Sequence, residues 1–256
     1  MEYFQSRGKG DLVEHLAAKE ADYDAYGDLV HQKLVQAERT LPDNDSELAE
    51  ALFNAGNHAI FHQKYAEAET LLLRALDSNI KVHGEESEAV VANLNRLCVV
   101  ARELKKFEEA ENAIQRALEI AKKRFPNSHV YPRTMETIAL LRGEQGRTAE
   151  ATALYGEAVA IFEKQSGYPS YDTIECLYRQ SGHLLRAGKF AEAEMAIRRV
   201  TGVMDDICGV SDFEKSDYMA TLASVLDELG RKEESEEARK RAEELLERAR
   251  KDAESE

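Results

Sequence analysis

Few side chains of this chain have the types and spacing for catalysis. His58 and His62 stand i, i+4, a spacing that sets two imidazoles on one helix face, where they could hold a metal ion. No H-E-x-x-H pattern surrounds them and no third ligand is indicated, so they read as two surface or groove histidines. Cys98, Cys176 and Cys208 lack metal-ligand spacing, and an odd thiol count argues against a closed disulfide framework. Cys98 and Cys176 fall in apolar helical stripes and read as core thiols. A thiol nucleophile needs a lowered pKa and a base, and the sequence shows neither. There is no Gly-rich phosphate loop and no G-x-S-x-G elbow. The acidic residues are spaced as on solvated helix faces, not as a paired-carboxylate site. The expectation is a protein that is not an enzyme, with no catalytic residue, cofactor or metal.

The elements that carry these residues repeat. QKYAEAE around Tyr65, KKFEEAE around Phe107, GRTAEAT around Thr148, GKFAEAE around Phe190 and GRKEESE around Lys232 align at spacings of 42, 41, 42 and 42 residues. Apolar residues precede each string at helical spacing, as in Leu52, Ala55, Gly56, Ala59 and in Leu94, Leu97, Cys98, Ala101. Small residues follow each string, as in Ala68, Leu72, Ala75 and in Ala110, Ile114, Ala117, and these let helix backbones approach closely. The unit is helix, tight turn, helix, longer junction. Gly146, Gly188 and Gly230 mark helix ends where a left-handed residue is useful. Pro42, Pro126, Pro132 and Pro169 are read as junction residues, none inside a helix. Ser211-x-x-Glu214 reads as a capping box.

Composition narrows the class. The 256 residues include 49 acidic and 34 basic ones, a net charge of -15, with 43% hydrophobic residues and no Trp. This mix fits a helical soluble protein with enough apolar surface for a core. No run of about 18 apolar residues predicts a membrane-spanning helix. The N-terminus has no apolar h-region, so no signal peptide is expected. Bulk charge argues against nucleic acid. Cytoplasmic is the simplest localisation.

The pattern resembles the tetratricopeptide repeat, and the 42-residue period resembles the longer form of kinesin light chains. Ala75 to Leu97, ALDSNIKVHGEESEAVVANLNRL, is similar to that family's helix end, Gly junction and Asn-rich next helix. No heptad segment for a motor chain precedes the repeats. The resemblance covers roughly residues 46 to 246. It implies an all-α fold, an α-solenoid (right-handed superhelix) of antiparallel helix pairs. The expected organisation is a degenerate N-terminal capping unit over 1–45, with apolar positions from Leu12 to Val35. Five repeats follow over about 46–86, 87–127, 128–169, 170–210 and 211–246, and then the frayed end, 247–256, of a charged capping helix.

In such families the first helix of each unit lines a concave groove. Mapping the stripe opposite the core gives Phe53, Asn54, Asn57 and Phe61, then Asn95, Arg96 and Arg102, then Arg133 and Thr137, then Tyr178, Arg179 and Arg186. The fifth unit turns acidic with Asp217, Asp227 and Glu228, so the middle of the groove is expected to be basic. Arg pairs bidentately with carboxylates, Asn can hold an extended peptide backbone, and Phe53, Phe61 and Tyr178 can anchor apolar groups. The competing expectation is a solvated face on which Arg residues pair with neighbouring Glu. The function that follows is a non-catalytic scaffold or adaptor binding a partner peptide, which can be an acidic one, in this groove, with no nucleic acid and no membrane. The alternative is a structural homo-oligomer, or a regulatory subunit of an enzyme complex, assembled through terminal helices.

Overall fold

The computed structural model describes residues 27–42, 44–166 and 170–255. Among these are eleven helices and no strand. Helix α1 covers residues 27–40. Ten more form pairs: α2 (Ser46–Phe61) with α3 (Tyr65–His83), α4 (Glu88–Glu103) with α5 (Phe107–Arg124), α6 (Val130–Glu144) with α7 (Thr148–Ser166), α8 (Tyr171–Arg186) with α9 (Phe190–Thr201), and α10 (Asp212–Glu228) with α11 (Lys232–Ser255). The chain divides into two compact units, one ending at Phe125 and the other beginning at Pro126. The sequence expectation that falls on residues 11–26 lies outside the described residues.

Every pair turns the same way. The turn residue is left-handed in all five: Gln63 (φ 58°), Lys105 (φ 62°), Gly146 (φ 74°), Gly188 (φ 71°) and Gly230 (φ 75°). The next N–H in each turn reaches five residues back through the cap, from Lys64 to Ala59 O at 2.8 Å, for example, and from Arg231 to Leu226 O at 2.9 Å. These bonds satisfy carbonyls that the helix end would otherwise leave open. Glycine holds this conformation freely, whereas Gln63 and Lys105 hold it against a cost of about 1–2 kcal/mol.

Helix starts are equally local. Ser87 and Ser170 accept from the N–H of Val90 and Thr173, and Asp45 accepts from Glu47 N at 2.8 Å. The Ser211–Glu214 capping box is present, with Ser211 N donating to Glu214 Oε2 at 2.8 Å. Pro132 corrects one expectation, because it lies inside α6 rather than in a junction. It stands in the first turn, where the missing N–H has no acceptor to lose.

In the unit ending at Phe125, Val30 and Leu34 of α1 pack on Leu48, Leu52 and Ala55 of α2 and on Ala75 of α3. Ala59, Ala68 and Leu72 then meet Leu97 and Val100 of α4. In the unit beginning at Pro126, one continuous cluster runs from Met135 to Leu245 and includes Tyr155, Ile174, Ile197, Tyr218 and Leu226. Two polar departures in this unit are absorbed by hydrogen bonds. Ser181 donates to Tyr178 O at 2.7 Å, and the buried Ser235, at the place Ala68 holds in the first repeat, donates to Ala223 O at 3.0 Å. Helix α11 runs from Lys232 to Ser255.

Candidate functional site

In each unit the candidate residues stand on the first helices of the pairs. In the first unit these are α2 and α4, which touch each other. Phe53 is half-buried and packs on apolar residues of both flanking clusters, so it serves the core as well as any surface. Asn54 and Asn57 are half-buried, and the Asn57 Oδ1 is covered without accepting a hydrogen bond. Asn95 is 9% exposed, and Arg96, one residue on, is exposed. Phe61 is 40% exposed and meets the His62 ring edge-on at 5.2 Å. Arg102 is corrected as a groove residue: it is 8% exposed and forms an ion pair with its neighbour Glu103. It sits in the last turn of α4.

The two histidines of α2 bring their Nε2 atoms to 3.0 Å, one donating and the other accepting according to tautomer. Among the described residues no His, Cys, Asp or Glu group of three or more gathers to hold a metal ion. Cys98 and Cys176 are buried and Cys208 is exposed.

The second unit differs from the basic stripe that its sequence suggested. Arg133 of α6 pairs with Asp172 of α8, and Arg179 lies 3.2 Å from Glu175 on its own helix. Glu175 also accepts from the Tyr218 hydroxyl of α10 at 2.9 Å, and Tyr171 of α8 donates to Glu214 of α10 at 2.5 Å. Thr137 spends its hydroxyl on the Arg133 carbonyl at 3.0 Å. Tyr178 is half-buried, its ring 4.9 Å from that of Tyr218, while Arg186 is exposed in the last turn of α8. Asp227 faces the second helix, paired with Arg239 of α11. The surface is therefore a lattice of tyrosines and matched charges rather than a row of unopposed arginines.

One residue of this lattice was missed. Glu136 is 6% exposed, its Oε2 lies 3.9 Å from Arg133 Nη1, and its Oε1 accepts no hydrogen bond. Burial raises its carboxyl pKa above the ordinary value, only partly opposed by Arg179 and Arg133. Burial, with Glu136 next in weight, also pushes up the Tyr155 hydroxyl and the Cys176 thiol, so Cys176 is inert as a nucleophile. The signal that finds Glu136 is the repeat register. It falls 41 residues after Asn95 and 42 before Tyr178, at the same place of the unit.

Outside these faces, charge is laced between successive pairs. Lys106 bonds Glu69 at 2.6 Å in the first unit, and Arg231 bonds Glu194 at 2.5 Å in the second, each joining the start of one second helix to the second helix before it. No described helix is long and apolar enough to cross a membrane.

A family model of the tetratricopeptide repeat matches residues 45–123 and 89–164. No curated protein sequence matches the chain. Among solved structures it is similar to BtubC (BKLC) from P. vanneervenii, with a TM-score of 0.70 and 15% identity over 87% of this chain and 90% of that one. It is also similar to a Podosopora anserina protein described as a kinesin light chain with nearly identical TPR-like repeats. One structure of that protein gives a TM-score of 0.62 and 15% identity over 79% of this chain and 96% of that one. Another gives 0.60 and 16% identity over 77% and 93%. Period, paired helices, the common left-handed turn and the family match agree: residues 45–164 match the tetratricopeptide repeat, and the described chain has an all-α fold of helix pairs similar to that of the kinesin-light-chain TPR-like structures.

Proposed function

We propose that this chain is a non-catalytic binding module that holds a segment of a partner protein on the first-helix faces of its repeats. Tetratricopeptide repeats generally mediate protein–protein interaction, and an open stack of helix pairs offers a long surface with few enclosed pockets. In the first unit the segment is extended and acidic. Asn54 and Asn57 carry carboxamides that can donate to and accept from a peptide backbone. Arg96 can grip a carboxylate with two parallel N–H groups. Phe53 offers a ring edge to an apolar anchor. Cys98 and Cys176, buried and not joined in a disulfide, fit a reducing, cytoplasmic compartment.

The observation that carries this reading is the register. Phe53 and Asn95, and likewise Asn54 and Arg96, are 42 residues apart on consecutive first helices of one unit. They therefore form a ladder that a single strand can follow. The test is affinity capture from native lysate with the full chain and with Asn54→Asp combined with Arg96→Glu. Loss of the captured partner at unchanged helicity is expected. Undiminished recovery would remove the first-helix face as the binding surface.

A further inference from the structure

One histidine stands where the repeat elsewhere buries an apolar side chain. By the register, His183 of α8 corresponds to His58 and Val100 of the first unit and to Leu141 and Val225 of the second. Val100, Leu141 and Val225 are each 0% exposed, so the place belongs to the packed interior. His183 follows them inside at 6% exposed, and its Nε2 is covered without a hydrogen-bond partner. A buried polar atom left so costs about 1–3 kcal/mol. An apolar side chain would serve the packing better, yet the surroundings are fitted to the ring.

The fit comes from Gly143 of α6. A Cβ there would lie 2.7 Å from His183 Nδ1 and 2.9 Å from its Cε1, so only glycine leaves the imidazole its room. On the α7 side the ring lies 5.9 Å from that of Tyr155, whose hydroxyl burial keeps protonated and therefore uncharged. The α6 residue beside Gly143 is Arg142, which bonds Gln145 at 3.1 Å. Arg186 of α8 and Lys189, just before α9, are both positive and act against an imidazolium. The Thr148 backbone, at the start of α7, acts in its favour. Burial outweighs all of these and holds the imidazole pKa below the ordinary 6.5.

We propose that His183 is a proton-sensitive latch: neutral, it closes the end of α8 against α6 and α7, and protonated it leaves that place, so the end of α8 lifts from Gly143 and Tyr155. The unfolded chain takes up the proton more readily than the closed latch does. The stability of the contact is therefore fully present above the unfolded value and is lost as pH falls toward the lowered folded one. Because α8 also carries Tyr178 and Arg179, the latch ties the packing of that first helix to acidity.

The test is hydrogen exchange of the full chain by mass spectrometry at about pH 7.5 and about pH 5.5, a range in which an imidazole titrates. Rates are expressed as protection factors, which removes the intrinsic effect of pH. Protection over the C-terminal half of α8 should fall roughly fivefold or more on acidification. In His183→Val, which carries the side chain of Val100 and Val225, the fall should shrink to about twofold or less. His183→Gln, neutral and polar, takes its place should the valine variant fold poorly. His83→Gln, at an exposed position of α3, should keep the full fall. Gly143→Ala crowds the ring out of its place, so its α8 protection should be low already at neutral pH and change little on acidification. Unchanged protection of α8 in the native chain would overturn the proposal. So would an equal fall in the His183 variants, or an equal fall over α2 and α4 of the first unit, which would assign the effect to acidity acting on the whole chain.

Discussion

At the place where the first unit has Asn95, the second has Glu136, and where the first unit turns on Gln63 and Lys105, the second turns on Gly146, Gly188 and Gly230. The backbone is alike at both places. All five turn residues are left-handed, and both Asn95 and Glu136 are buried on a first helix. The difference shows which positions the repeat dictates and which it leaves open. Core positions must fill the same space between helices, so Leu72 and Ile197, at one register position of the two units, are both 0% exposed. A turn residue need only tolerate its backbone, and a face residue need only find partners or solvent. Those two classes diverge, and the face is where the units acquire separate chemistry.

The largest test of that division lies in the cores. Leu72→Ala and Ile197→Ala should each cost about 2–5 kcal/mol, because each leaves a cavity at a fully enclosed site. Chemical denaturation followed by circular dichroism measures both. A cost at one position and none at the other would mean that the two cores do not share a register. The helix-interior glycines should then respond with opposite signs. A Cβ on Gly56 of α2 would lie 2.7 Å from Leu72 Cγ, whereas one on the exposed Gly156 of α7 would meet nothing within 4 Å. Overpacking at Gly56→Ala costs about 1–3 kcal/mol and outweighs the gain of about 1 kcal/mol in helix propensity. Gly156→Ala receives that gain alone, so its melting temperature should rise while that of Gly56→Ala falls.

The legibility of the chain in its sequence follows the same line. The period near 42, the apolar stripes and the three glycine turns announced the helix pairs, since each is a local backbone or packing requirement that recurs along the chain. Pro132 was misplaced because helix starts tolerate proline as readily as junctions do. The face was only half legible. Phe53, Asn54, Asn57, Asn95, Arg96, Tyr178 and Arg179 do stand on first helices, but pairing across helices decides what they offer. Arg133 meets Asp172, 39 residues away, and Tyr218 meets Glu175, 43 residues away, and no stripe drawn on one helix reveals such partners. Arg102 was misread because a stripe drawn on one helix does not show that its side chain is buried and paired with Glu103. Glu136 was overlooked because an acid among many acids carries no signal until the register singles it out.

Smaller effects probe the turn. Replacing Gln63 or Lys105 by Gly should stabilise the first unit by roughly 0.5–1 kcal/mol, the relief of a strained left-handed residue less the entropy glycine adds to the unfolded chain. Gly188→Ala should cost about 1 kcal/mol in the second unit, since φ 71° would then fall on a residue with a Cβ. Thermal melts of the three variants check this. A loss at Gln63→Gly or Lys105→Gly would show that those side chains contribute more than the strain they impose.

The last effect is a slope rather than a step, and it bears on the face itself. Glu136 has its carboxyl pKa raised above the ordinary 4.5 by burial. The folded state therefore holds this proton more tightly than the unfolded chain does. The stability it contributes is fully present below the unfolded value and is lost as pH rises through the raised folded one. Glu194 and Glu234 are held low by hydrogen bonds from Arg198 and Arg231, so their contributions run the other way. Subtracting Glu136→Gln from the native chain cancels them, because that variant is neutral only at position 136. Denaturation at a series of pH values should show the difference moving in the variant's favour from acid toward neutral pH. The difference between Asn95→Ala and the native chain should stay flat, since a carboxamide does not titrate in that range. A flat line for Glu136→Gln would mean that the carboxyl ionises as it does in the unfolded chain. The second unit's face would then have lost the desolvated acceptor that sets it apart from the first.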